Sequence, residues 1–225
     1  MAKRIILGAV AVLLVIAAAY GSFYIAPEER TMGVVQRIFY FHVGSAWAGM
    51  DAFFLCFIGN LLYVWRRDQK YDWLSVASAE VGLALMTVVL ITGPIWAKPA
   101  WGIYWTWDAR LTSTFVLWLL YVSYLLLRSL VEEPDRRALL SALFGIFAFL
   151  DVPLVYFSIR WWRTQHPAPV IMGGPGSGLD PTMSKVFFFS VLAMHVLMAF
   201  LIVERYSLEK MKSEVDILQR EAEAQ

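Results

Sequence analysis

Six stretches of this chain are each long and apolar enough to cross a lipid bilayer, and no other feature restricts the possible folds as much. They run approximately from Ile5 to Tyr24, Phe39 to Trp65, Trp73 to Trp96, Leu111 to Leu127, Ala138 to Phe157 and Met183 to Val203. About 20 apolar residues in a helix span the roughly 30 Å hydrocarbon layer. Hydrocarbon offers the backbone no partner, so each run must satisfy its own N–H and C=O groups as a helix. Composition agrees: 60% of the 225 residues are hydrophobic and the mean hydropathy is +0.60, against roughly 45–50% apolar residues in a soluble domain. The expected fold is an all-α integral membrane protein, with a six-helix transmembrane domain over 1–206 and a charged helical tail over 207–225. The first run has a basic start and resembles a signal peptide, but it is long enough to span and no clear A-x-A cleavage site ends it. The single cysteine, Cys56, excludes an internal disulfide or a CxxC redox site.

Six crossings put both termini on one face. That face would hold Lys3, Arg4, Arg66, Arg67, Lys70, Arg128, Arg136, Arg137, Arg205, Lys210, Lys212 and Arg220, twelve cations, against seven on the other: Arg30, Arg37, Lys98, Arg110, Arg160, Arg163 and Lys185. The positive-inside rule then makes both termini cytoplasmic. The inner connections, "RRDQKYD" and "RSLVEEPDRR", are short and polar. The outer ones are aromatic or carry histidine, and the last, "RWWRTQHPAPVIMGGPGSGLDP", is rich in Pro and Gly after His166, a composition that gives a mobile loop. In the tail, Met211, Val215 and Leu218 share a helical face. A solvated helix explains that face, and a partner-docking helix is the alternative.

The outer face collects the chemistry. Of three histidines, His42 begins the second span and His166 lies in the last outer loop, while His195 sits deep in the sixth span. The second span, about 27 residues or roughly 40 Å long, exceeds the hydrocarbon thickness, which puts His42 at the outer interface. The run "KPAWGIYWTWDARLTS" joins the third span to the fourth on that same face. Neutral imidazole is a common ligand of metals and of haem iron. A porphyrin is flat and apolar with two carboxylates at one edge. Trp101, Tyr104, Trp105 and Trp107 offer it an aromatic shelf, His42 and His166 axial ligands, and Lys98, Arg110, Arg160 and Arg163 partners for its carboxylates. A helical loop would pair the rings of Trp101 and Trp105, an extended one those of Trp105 and Trp107.

Simpler explanations exist for each part. Interfacial tryptophans anchor spans, and Trp96, Trp161 and Trp162 need no other role. Three within seven residues, beside Gly102 and Asp108, are denser than anchoring requires. Asp108 precedes an apolar run and suits an N-cap, a role compatible with functional hydrogen bonding. His195 reads as a packed, hydrogen-bonded core residue. Asp51, Glu80 and Asp151 lie within spans, where ionisable groups are functional candidates by default. With His195 they would serve a rival function, a small proton- or quinone-coupled membrane transporter or redox subunit. No activated nucleophile or acid–base pair points to bond-making catalysis, so a binding and transfer protein is expected and enzymatic activity is left open.

The stretch "WGIYWTWDARLT" resembles the tryptophan-rich WGxxWxWD signature of the haem-handling membrane proteins of cytochrome c maturation, with Trp101, Gly102, Trp105, Trp107 and Asp108 in its fixed positions. The resemblance continues through "YFHVGSAW", "TGPIWAKPAWG", "WWRTQHP" and "LDPTM", in order over about residues 20–205, and is similar to the CcmC branch. It implies that the chain binds non-covalent b-type haem at the periplasmic face of the bacterial inner membrane and presents it to the haem chaperone CcmE. It implies His42 and His166 as the axial ligands, and the ABC transporter subunits CcmA and CcmB with the small membrane subunit CcmD as partners. It gives no role to His195 or to the tail.

Overall fold

The computed structural model describes residues 2–166, 171 and 178–223. Seven α-helices follow one another: α1 (Ala2–Tyr20), α2 (Ile38–Arg66), α3 (Gln69–Trp101), α4 (Ala109–Leu130), α5 (Pro134–Phe149), α6 (Asp151–Trp161) and α7 (Pro181–Glu223). Six segments are long and apolar enough to cross a membrane, with α5 and α6 together forming the fifth. The chain is an all-α, multi-pass membrane protein, as its apolar runs predict. The fifth span breaks at Leu150, before Pro153. Proline has no N–H and its ring crowds the preceding turn, which bends the span there.

Local chemistry sets the helix ends. Asp68 caps α3 by accepting from Lys70 N–H at 3.0 Å, and Glu133 caps α5, with Pro134 opening it. At the far end of α3, Gly102 adopts φ 79° and its N–H reaches Lys98 O at 2.9 Å. That left-handed C-cap turns the chain out of the helix, and only glycine takes it without strain.

α2 is central, packing on α3, α5 and α7. Its Phe53 stacks on Tyr121 of α4 with centroids 3.5 Å apart, in a cluster with Cys56, Met86, Leu117 and Tyr124. A second cluster joins Ala48 and Ala52 to Val81 and Leu85 of α3 and to Met194 and Met198 of α7. Gly59 allows α2 and α3 to approach, since a Cβ there would lie 3.1 Å from Tyr71 O. Arg4 of α1 and Glu204 of α7 form an ion pair, so the first and last spans end side by side. Near that same end Arg128 of α4 holds Asp72 of α3 through two bonds of 2.6 and 2.8 Å, both side chains buried. Beyond the bundle α7 continues without a break to Glu223, with Met211, Val215 and Leu218 exposed.

Candidate functional site

At the end of the bundle opposite the termini, a cavity opens between α2, α3, α4 and the loops above them. His42, Trp101, Trp105, Arg110 and His166 line it. Residues distant in sequence therefore meet as the span count predicts. Apart from Thr114 the rest of the wall is apolar, reaching down past Ala46, Val89 and Leu90 to Met50 and Met86.

His42 occupies the second turn of α2 and is fixed from α3. Its Nδ1 lies 2.9 Å from Thr92 Oγ1, and that hydroxyl donates to Val88 O at 2.7 Å. A hydroxyl has one proton. A Thr92 hydroxyl that gives its proton to Val88 O accepts from His42 Nδ1–H and leaves the imidazole lone pair on Nε2; one that turns toward His42 donates to Nδ1 instead. Gly93 sits against the ring: a Cβ there would lie 3.3 Å from His42 Cε1. Trp96 closes the side, edge-on at 5.7 Å. The stretch Thr92-Gly93-Pro94-Ile95-Trp96 is thus a cradle for one histidine.

His166 is placed by Asp108. This carboxylate caps α4 through Leu111 N–H at 2.9 Å with Oδ1. With Oδ2 it accepts from Thr164 Oγ1 at 2.8 Å, Gln165 N–H at 3.1 Å and Thr106 Oγ1 at 3.2 Å. Thr164 Oγ1 in turn accepts from His166 N–H at 2.9 Å. Capping and loop joining are one residue's work here, divided between its two oxygens. Burial pushes the Asp108 carboxyl upward, and the bonds from Leu111, Thr164, Gln165 and Thr106 outweigh it, leaving it below the ordinary carboxylate range. The His166 ring stands edge-on to Trp101, centroids 6.4 Å apart.

The tryptophan run leaves the helix at Gly102, bends through Tyr104 and is irregular to Asp108, and Trp105 packs edge-on against Trp107 at 5.6 Å. Trp101, at the end of α3, and Trp105 face the cavity, whereas Trp107 is 74% exposed and Tyr104 points outward with it. Among the expected cations only Arg110 lines the cavity. Lys98 donates to Gly102 O at 2.8 Å and lies 5.2 Å from the Tyr104 ring, Arg160 lies over Tyr156, and Arg163 is exposed. Most of the Pro- and Gly-rich stretch after His166 lies outside the described residues. Sequence reading missed Thr92, Gly93, Trp96 and Thr164. Nothing distinguishes Thr92 until α2 and α3 are paired.

The walls suit a flat, apolar, dianionic ligand with a Lewis-acid centre. Among the described residues His42 Nε2 accepts no hydrogen bond, and the indole N–H groups of Trp96 and Trp105 are buried without partners. Donors, a guanidinium and an imidazole lone pair thus converge on one apolar space. The rival residues do not converge. Asp51 pairs with His195 at 3.0 Å, Glu80 with Arg205, and Asp151 stands apart on α6 with Oδ2 unpartnered among the described residues. His195 and Arg205 are ten residues apart on α7, about 15 Å along its axis.

The sequence is similar to known proteins of one family. The profile of the CcmC family, described as heme exporter protein C, matches residues 1–224. Heme exporter protein C of Bradyrhizobium diazoefficiens is 34% identical over 210 residues, covering 93% of this chain and 77% of that protein. Its counterpart in Escherichia coli K12 is 31% identical over 188 residues, 81% of this chain and 74% of that one. A ccmC-like mitochondrial protein of cytochrome c biosynthesis from Arabidopsis thaliana is 30% identical over 205 residues, covering 88% and 78%.

Proposed function

We propose a function for this chain from one premise: it belongs to the CcmC family, heme exporter protein C. It binds haem non-covalently in the cavity below the tryptophan-rich loop and presents it to the chaperone CcmE for cytochrome c maturation. The observation that carries this reading is the meeting of His42 and His166 in one apolar cavity with Trp101, Trp105 and Arg110. Bound haem would supply a Lewis-acidic iron, which the imidazoles of His42 and His166 would hold. His42 offers Nε2 from a rigid helix, and His166 comes from the loop that Asp108 holds. Arg110, which lines the cavity and whose Nη1 lies 3.5 Å from Tyr156 O, is the partner for a propionate. Trp101 and Trp105 shield the ring from water. Gly102 and Asp108 shape the loop, and Tyr104, Trp107, Lys98, Arg160 and Arg163 sit around its rim, where a docking chaperone would touch them.

The cavity faces the periplasm, across the inner membrane from both termini. The twelve-to-seven split of cations supports this orientation. CcmA, CcmB and CcmD are the partners that family membership brings, and the 1–206 bundle is the haem-handling unit with 207–225 as its cytoplasmic tail. Binding and transfer, without bond-making by this chain, account for the residues present. The test is an absorption spectrum of protein purified after haem-replete expression. A bis-histidine Soret band is expected, lost in the His42→Ala, His166→Ala double variant along with transfer to CcmE. Wild-type protein without that band, or a double variant that keeps it, overturns the reading.

A further inference from the structure

The cradle around His42 does more than pack it. A neutral imidazole has two tautomers, and only the one with a bare Nε2 can offer that atom to a metal while Nδ1 faces α3. In water the Nε2–H form is the favoured one, so the useful form must be selected. The selecting group is one hydroxyl. Thr92 Oγ1 lies 2.7 Å from Val88 O, an acceptor only, and 2.9 Å from His42 Nδ1. With the hydroxyl proton on the helix carbonyl, an oxygen lone pair faces Nδ1, and both bonds form together only when Nδ1 carries the proton. In the opposite tautomer the hydroxyl must turn to donate to Nδ1 and gives up its bond to Val88 O. Trp96 stands edge-on beside the ring, and Gly93 leaves room for it.

We propose that Thr92 is a positioning residue that holds His42 in the Nδ1–H tautomer and aims its Nε2 lone pair into the cavity before any ligand arrives. The role toward iron rests on the reading of His42 as an axial ligand. The tautomer itself does not, because it is a property of the protein without haem. A partner accepting from the remote N–H also raises the basicity of the ligating nitrogen and fixes the plane of the ring. The group works through His42 and touches no iron.

The experiment uses the full chain, ¹⁵N-labelled at histidine, in lipid nanodiscs. The three histidines are assigned by single variants. In the haem-free wild type, His42 should show a protonated Nδ1 and a bare Nε2. Thr92→Val keeps the shape and removes the acceptor, and the proton should shift toward Nε2. Thr92→Ser keeps the hydroxyl and should restore the wild-type pattern. With haem bound, Thr92→Val should release it about tenfold faster and move the midpoint potential, and Thr92→Ser should do neither. A wild-type His42 protonated on Nε2 overturns the proposal without any variant, even if Thr92→Val fails to fold. So does a Thr92→Val protein with the wild-type tautomer, or one that keeps a Soret band and releases haem no faster. A wild type with no bis-histidine band sinks the ligand reading instead, and the nitrogen spectrum still decides whether Thr92 sets the tautomer.

Discussion

Asp108→Asn separates two functions that one carboxylate performs. Asparagine caps helices about as well as aspartate, so its Oδ1 can keep the bond from Leu111 N–H that starts α4. Its second atom becomes an amide donor where Oδ2 accepted from Thr164, Gln165 and Thr106. The two hydroxyls can rotate and accept. The Gln165 backbone N–H cannot, and it is left facing another donor. A hydrogen bond to a charged acceptor contributes about 1.5–3 kcal/mol net, and water at this exposed contact restores part of it. About 1–1.5 kcal/mol then falls on the placement of the 164–166 segment, close to tenfold in an equilibrium constant. Haem titrated into purified Asp108→Asn protein and followed in the Soret region should bind about tenfold more weakly, with a thermal midpoint near wild type. Asp108→Ala loses the cap as well, a further ~1 kcal/mol, and its midpoint should drop by about 2–4 °C. Wild-type haem affinity in Asp108→Asn, or identical melting of the two variants, would falsify the division of labour between the two oxygens.

The same clasp has a pH signature. The Asp108 carboxyl lies below its ordinary range when folded, so its contribution is present above the unfolded value and is lost as pH falls through the lower, folded one. Tryptophan fluorescence of the haem-free protein should therefore stay flat through the ordinary carboxylate range and change only below it, and Asp108→Asn should lack that step. Arg110→Gln should weaken binding of haem several-fold and leave haem dimethyl ester, which has no free propionates, unaffected; equal losses for both ligands remove the propionate role. Asp72→Ala leaves the buried Arg128 guanidinium unpaired and should cost roughly 3–5 kcal/mol in detergent unfolding, with the Asp72→Ala, Arg128→Met pair recovering much of it. Asp51→Asn should leave the Soret spectrum and haem transfer unchanged, since the Asp51–His195 pair lies outside the residues lining the cavity; loss of transfer would return the proton-coupled reading to contention.

How much was legible follows from which interactions are local. The six spans are fixed by composition over about 20 residues, and the structure has them where hydropathy puts them. Parity alone carries His42, Trp101 and His166 to one end. The Asp108 cap was legible because a cap acts within three residues of its own position. The clasp to Thr164 and Gln165 was not, because it joins positions 56 and 57 residues apart. Thr92 was hidden for the same reason: its contact with His42 spans 50 residues, and it exists only once α2 and α3 lie side by side. Whether Trp105 would pair with Trp101 or Trp107 turned on the backbone after Gly102. The left-handed turn there ends the helix and selects the pairing of Trp105 with Trp107. Charge type and loop membership gave four cations, and of these Arg110 lines the cavity while Lys98, Arg160 and Arg163 do not; contacts across the fold decide which side chains reach it.

The two histidines are held in different ways, and on the proposed reading that difference suits a protein that must give its ligand up. His42 stands on a central helix, against the half-buried Thr92, Gly93 and Trp96 of the neighbouring helix. Moving it means disturbing α2 and α3 together. His166 is joined to Thr164 and Asp108 on loops, through two half-buried bonds and one exposed to water. Loop hydrogen bonds open at lower cost than packed helices. Haem bound by both would therefore lose His166 first, exposing one axial position while His42 keeps the other. A chaperone that brings its own ligand would find that position at the outer face, beside the exposed Trp107 and Tyr104. The order is testable with carbon monoxide, which takes an axial site of ferrous haem as a ligand leaves. Asp108→Asn should speed its binding, and His166→Ala should speed it further and abolish the effect of Asp108→Asn. If Asp108→Asn still accelerates carbon monoxide binding in the His166→Ala background, the clasp acts on something other than His166.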